Sequence, residues 1–532
     1  MIEQDKIAKS TGIVSSATFL SRVLGLVREQ VFAFLFGAGY ATDAFIAAFR
    51  IPNLLRDLFA EGALSSAFIP VFTDHKTNQG KEKAWELANL VLNLLLVTLC
   101  LVIILGIIFA PYIVSVIAPG FGKEVGKQDL TTLLSRIMFP FLLLIALAAL
   151  AMGMLNTFRR FGIPALAPTL FNLGMITGGL FISPLFDPPI IGMALGVLLG
   201  GFGQVAIQLP SLRKIGFRYR FTLNLRHPAG VHRTVHPGVK RILILMVPAT
   251  LGLASTQINI FVNTLIASLL PQGSVSYLNY SFRLMQFPIG VFGVAVATVT
   301  FPIVSAFAAK KEMGQVVSTF TSSLKLVFFL TIPSAVFLAV ASQPVISVLF
   351  QHGRFTHLDT VATSQALMFY CIGLFAYSSV RLTASTFYSM GDTKTPAKTS
   401  AVAVGVNIIL NLILMHPLGF RGLALAASVA AMTNLGLLLM ILDKRIGPLD
   451  QKDITMTFLK ILSSAVFMGL ALWVYLKFFG LDLRTAPLAE KILSLAIILI
   501  LGLLSYSAFS YILRVKELDR ILELLKIRKK KG

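Results

Sequence analysis

Arginine is the residue type with chemistry to offer in this chain, because it stands where hydrocarbon is expected. Several Lys and Arg residues fall inside hydrophobic stretches, and Arg22, Arg28, Arg50 and Arg56 crowd into the first two. Arg283 lies in the eighth. A cation at mid-bilayer costs at least about 2.5–3.5 kcal/mol on insertion scales, so several of them must face a wet cavity or an anionic ligand. All five are Arg and none is Lys. The guanidinium fork matches a phosphate or carboxylate with two parallel hydrogen bonds, which an ammonium does not. The pattern predicts an interior that handles a negatively charged group. The competing arrangement is internal salt bridging, Arg22 to Glu29 or Asp43, and Arg56 to Asp57 or Glu61.

Spacing refines this. At about 100° per residue, Arg22 and Glu29 lie within about 20° of each other on a helix, and Arg28 about 120° from Arg22. Gly25 between them lets a neighbour approach the backbone. Asp43 and Arg50 are seven residues apart and share a face. Pro52-Asn53 then interrupts the second stretch, followed by Arg56-Asp57 and Glu61-Gly62. Proline within a span frees backbone groups that a cavity can use. Arg50, Asn53 and Glu61 are thus candidates to support the site. Asn263, Asn407 and Asn411 sit deep in later stretches. They could form a cation site, but no carboxylate accompanies them, which favours hydrogen bonding between helices.

The elements that must position these residues are membrane helices. The chain has 532 residues, 56% hydrophobic and only 13% charged, with mean hydropathy +0.83. Soluble domains run near 45–50% apolar and about 25% charged. A span needs about 20 apolar residues. Fourteen stretches qualify: 12–36, 43–72, 86–117, 131–157, 163–184, 189–212, 242–270, 275–307, 317–350, 359–389, 397–416, 421–443, 455–476 and 492–513. The fold class expected is an all-α polytopic membrane protein. Its first stretch is long and charged, which reads as a retained span rather than a cleaved signal.

With the N-terminus in the cytoplasm, Lys and Arg are several times more numerous in cytoplasmic segments than in external ones. That asymmetry places both termini inside. It also accounts for the net charge of +23 without nucleic acid. Cys100 and Cys371 offer neither a disulfide framework nor a metal-site spacing. His227, His232 and His236 lack a companion carboxylate or thiol, so no metal is expected. Neither GxxxxGK[ST] nor HExxH occurs, so the expectation is a protein that is not an enzyme and needs no cofactor.

Two sets of landmarks repeat at an offset near 230 residues. Phe49-Arg50 precedes Phe68-Ile69-Pro70-Val71, and Phe282-Arg283 precedes Phe301-Pro302-Ile303-Val304. Thr157-Phe158 precedes Gly162, Pro164 and Asn172, and Thr386-Phe387 precedes Gly391, Pro396 and Asn407. An even-numbered unit repeated in one orientation predicts two pseudo-symmetric six-helix lobes with substrate between them. The expected organisation is a lobe over 1–212, a basic cytoplasmic linker over 213–241, a second lobe over 242–443, two extra helices over 444–513, and a basic amphipathic tail over 514–532. Such a tail suits the anionic lipids of the inner leaflet.

The chain resembles the MurJ (MviN) family of lipid II flippases, within the multidrug/oligosaccharidyl-lipid/polysaccharide exporter superfamily. The resemblance is carried by Ser21-Arg22-Val23-Leu24-Gly25 with Arg28, by Gly37-Ala38-Gly39 with Thr42-Asp43-Ala44-Phe45, and by Pro52-Asn53-Leu54-Leu55-Arg56 with Phe59-Ala60-Glu61-Gly62-Ala63. Arg283-Leu284-Met285, Phe287-Pro288 and Gly293-Val294-Ala295 add a distant match. The resemblance implies transfer of lipid II, the undecaprenyl-pyrophosphate-linked peptidoglycan precursor, from the inner to the outer leaflet of a bacterial cytoplasmic membrane. It implies substrate contacts at Arg22, Arg28, Glu29, Asp43, Arg56 and Arg283, with Arg28 and Arg283 on the pyrophosphate. It implies that the two extra helices form a groove for the lipid tail. Asn263 and Asn411 stand where relatives carry acids in a proposed sodium site, so sodium coupling does not follow. A monomer is expected, in contact with cell-wall synthesis proteins. Two other functions compete: export of another polyprenyl-pyrophosphate-linked glycan, and a membrane scaffold for cell-wall enzymes.

Overall fold

The computed structural model describes residues 2–56, 64–221, 236–519 and 523, and every regular element among them is a helix. All fourteen stretches are helical where described. Among the described residues, ten helical segments are long and apolar enough to cross a membrane, eleven when the pair 357–371 and 374–389, bent by 45°, counts as one span. The remaining three stretches, 12–36, 43–72 and 242–270, include the two that carry the clustered arginines.

Contacts divide the chain into two compact units, 1–272 and 273–532. The first contains α1 (Ile2–Phe36), α2 (Tyr40–Leu55), α3 (Ser65–Asn78), α4 (Lys81–Ile117), α5 (Lys127–Met138), α6 (Phe141–Thr157), α7 (Gly162–Thr177), α8 (Ile190–Ala206), α9 (Leu209–Lys214) and α10 (Pro237–Ser268). Although α10 was expected to open the second lobe, it packs on α3 and α4 of the first. Val239 and Ile242 enter a core with Phe72, Leu87 and Val91, which explains the attachment.

The pair α7 and α8 shows what holds such helices together. Lipid tails are as apolar as leucine, so close backbone approach through small residues replaces the hydrophobic drive. Gly174 on α7 and Gly178 just beyond its end face Gly200 and Gly196 on α8, and a Cβ at Gly174 would lie 2.3 Å from the Gly200 backbone. Gly174→Val should therefore destabilise the protein by about 3 kcal/mol or more, at the upper end of overpacking costs. Gly405→Ala, where a Cβ meets nothing within 4 Å, should not. Thermal unfolding in detergent distinguishes them. Equal midpoints would remove the glycine contact as the determinant.

The second unit contains α11 (Ser274–Pro288), α12 (Val294–Ala309), α13 (Met313–Val340), α14 (Ser342–Phe350), α15 (His357–Cys371), α16 (Leu374–Ser389), α17 (Lys394–Leu418), α18 (Phe420–Ile446), α19 (Gln451–Phe479) and α20 (Leu488–Ile512). The internal repeat reappears as geometry. A wide π-type turn joins α11 to α12 at 289–293, starting six residues after Arg283. Arg50 and Arg283 each stand five residues before the end of their helix, α2 and α11. The two added helices pack on α13: Phe328 and Ile332 share a core with Ile461, Leu472 and Ile498. The Tyr506 hydroxyl donates to the Phe329 carbonyl at 2.9 Å, and Lys325 pairs with Asp453. Most of the tail, 520–522 and 524–532, lies outside the described residues.

Candidate functional site

Arg28 is held by its own helix and by α7. Its guanidinium pairs with Glu29, donates to Asn172 Oδ1 at 3.1 Å and touches Met175 Sδ at 3.8 Å. It lies 5.8 Å from the centre of the Phe171 ring. These three α7 positions, 171, 172 and 175, fall on one helical face, as spacings of one and four residues allow. Asn172 also donates to the Ser21 carbonyl at 2.9 Å, and its amide lies beside Gly25. Gly25 thus admits the Asn172 side chain, which docks α7 on α1 and aims Arg28 at once. Beyond Phe171 an aromatic series runs through Phe49, Phe45 and Phe32, so α2 is fastened to the same support. Arg28 and Glu29 side chains are only 12% and 11% exposed, so the fork is oriented and largely dry. Arg22 is exposed, one and a half turns away on α1.

Asp43, expected to contact substrate, is buried in an ion pair. It lies in the first turn of α2 and pairs with Lys127 of α5 at 3.1 Å, with both side chains at most 2% exposed. Lys127 also meets Glu124 at 3.0 Å and sits over the Phe121 ring at 4.3 Å. Sequence reasoning missed Lys127, counting it among external loop charges. Its neighbours Glu124 and Asp129 are ordinary for a loop, so only the fold reveals its burial.

Arg50 and Asn53 of α2 line a cavity of about 410 Å³ with Gln257 of α10. Its other walls are apolar, including Leu105 and Phe109 of α4, Phe139 and Phe261. Arg56 is the half-buried C-cap of α2, with its N–H bonded to the carbonyls of Pro52 and Asn53. Glu61 and Asp57 lie outside the described residues. The structure therefore brings Arg28 and Glu29 together, and Arg50 and Asn53 together, but sets Asp43 with Lys127.

In the second unit Arg283 is exposed on α11. Asn407 and Asn411 are fully buried on α17, where Asn411 Nδ2 donates to Asn407 Oδ1 at 3.0 Å. Asn263 is half-buried on α10. At the turn between α16 and α17, Asp392 accepts from the Thr395 hydroxyl at 2.6 Å and the Thr395 N–H at 3.0 Å, and pairs with Arg445 at the end of α18. The Thr395 bonds first, then the Arg445 charge, hold its carboxyl at about 2, below the usual 3.8. A lowered folded pKa contributes stability above the unfolded value that is lost as pH falls through the folded one. Unfolding midpoints should thus drop between about pH 4 and pH 2, and Asp392→Asn should flatten that part of the curve. An unchanged curve would contradict the assignment.

Two all-helical units with apolar spans, the first carrying an oriented guanidinium at Arg28, define a polytopic membrane protein. Its fold is shared by an inward-facing multidrug resistance MATE transporter, with TM-score 0.67 and 16% identity over 83% of this chain. The chain belongs to the MurJ family. The model for lipid II flippase MurJ matches residues 32–494. The lipid II flippase MurJ of Burkholderia cenocepacia is 36% identical over 507 residues, 94% of this chain and 96% of that one. A probable lipid II flippase MurJ of Vibrio cholerae is 36% identical over 97% of each chain. A solved structure of a lipid II flippase MurJ in an inward closed conformation matches with TM-score 0.77 and 30% identity, over 94% of this chain and 99% of that one.

Proposed function

We propose that this chain carries lipid II from the inner to the outer leaflet of the bacterial cytoplasmic membrane by alternating access. The family membership over nearly the whole chain supports the substrate. The observation that carries the physical argument is Arg28, an oriented guanidinium within α1, held by Glu29, Asn172 and Phe171. A fork already fixed in direction loses little freedom on meeting a diphosphate, so more of the interaction is realised as binding. The diphosphate exchanges its water shell for charge-assisted hydrogen bonds, which lowers the barrier to crossing hydrocarbon. Arg22, Arg56 and Arg283 serve as further phosphate ligands. Asp43 acts by positioning α2 through Lys127 rather than by touching the substrate. The excess of Lys and Arg in alternate connections supports cytoplasmic termini. The function is tested in a bacterium whose own lipid II flippase can be switched off. Expression of this chain should restore growth and externally accessible lipid II. Lysis despite folded protein in the membrane would contradict the assignment.

A further inference from the structure

Two buried asparagines on α4 have a use that the transport site does not explain. Asn89 and Asn93 are one turn apart, 5% and 0% exposed. After α9 the chain reverses at Gly216, whose φ of +93° suits glycine, and residues 217–221 run back along α4 without helical structure. Asn89 donates to the Arg218 carbonyl at 3.2 Å and accepts from the Arg220 N–H at 2.8 Å. Asn93 donates to the Arg220 carbonyl at 3.0 Å and accepts from the Tyr219 hydroxyl at 2.9 Å. Phe217 is buried with its ring 5.4 Å from Trp85. This strap is therefore fixed by its backbone, one inward ring and the Tyr219 hydroxyl.

What it presents outward is Arg218, Tyr219, Arg220 and Phe221, all exposed, the two rings by 52% and 66%. Among the described residues neither Arg218 nor Arg220 has an ion-pair partner. The level of the strap is read from α4. The row of exposed apolar residues that faces lipid begins at Val97 and continues through Leu101, Ile104 and Ile108. Val97 is about one turn, roughly 5–6 Å, beyond Asn93. The strap thus lies where hydrocarbon gives way to headgroups, the depth at which aromatic rings concentrate.

We propose that residues 216–221 form a docking site for an anionic phospholipid of the inner leaflet. Arg218 and Arg220 take the phosphate, and Tyr219 and Phe221 lie along the glycerol region and the upper acyl chain. The proposal rests on the cytoplasmic placement of this segment given above. The rigid backbone distinguishes this from a flexible basic tail, because the main chain at both arginines is held in place before a lipid arrives.

The test uses the full chain in vesicles, with Trp85→Phe, Trp473→Phe and the reporter Phe221→Trp. Fluorescence quenching is titrated with brominated phosphatidylglycerol or brominated phosphatidylcholine. Each basic residue near an anionic surface contributes enough that a pair gives roughly tenfold or greater preference. Phosphatidylglycerol should quench at about tenfold lower mole fraction. Arg218→Gln with Arg220→Gln should bring the two lipids within about twofold, and the paired Lys replacements should retain most of the preference. Equal quenching by both lipids in the parent, or a preference that survives the Gln pair, overturns the proposal. Abolition of the preference by millimolar glycerol 3-phosphate overturns it in favour of a small-phosphate site. Thermal unfolding confirms that each variant is folded. Lipid II exchange in the same vesicles reports on transport separately, so failure of one reading is not failure of the other.

Discussion

Arg28→Ala is expected to lower lipid II exchange between leaflets by about 100-fold. Two charge-assisted hydrogen bonds to a diphosphate contribute about 1.5 kcal/mol each at the low end, which together correspond to that factor. Arg28→Lys should recover only part of the rate, because the charge returns without the planar fork that Asn172 and Phe171 orient. Asn172→Ala should fall between parent and Arg28→Ala, since it leaves the guanidinium in place but releases its aim. Rates are read in vesicles with each variant's unfolding midpoint beside them. Full exchange by a normally folded Arg28→Ala protein would remove Arg28 from the diphosphate site.

The second large effect concerns stability. Lys127→Ala is expected to destabilise the first unit by about 3–5 kcal/mol, the usual penalty for removing one partner of a buried pair. The paired replacement Asp43→Leu with Lys127→Met should leave a much smaller deficit, because no buried charge is stranded between Tyr40 and Phe121. A double-mutant cycle on chemical unfolding isolates the coupling. If Asp43 instead contacts substrate, the paired variant will be stable yet lose transport. If it positions α2, transport will survive in proportion to stability.

The helices were legible because the signal that specifies them is long and local. Twenty apolar residues in a row identify a span without knowledge of its neighbours. The landmarks Phe49-Arg50 and Phe282-Arg283 occupy matching places, near the ends of α2 and α11. The partner of each charge was not legible, because pairing depends on which helices touch. Asp43 lies 84 residues from Lys127, and Arg28 lies 144 from Asn172. Helical-wheel angles suggested Arg22 beside Glu29, but the structure gives Glu29 to Arg28, its sequence neighbour, whose long side chain bends across to reach it. Nor did hydropathy foresee that α10 joins the first unit, since an apolar span fits either side of a boundary equally well. Asn89 and Asn93 carry no local signal in an apolar helix; their four hydrogen bonds to the strap depend on residues more than 120 positions away.

The most direct test of the account is the rate at which purified protein in vesicles moves labelled lipid II between leaflets. The same vesicles are given an undecaprenyl-pyrophosphate carrying an unrelated glycan, with and without an imposed membrane potential. The account predicts exchange of lipid II well above protein-free vesicles and faster than the unrelated glycan. Absence of lipid II exchange by folded protein under both conditions would contradict it, as would exchange of the unrelated glycan alone.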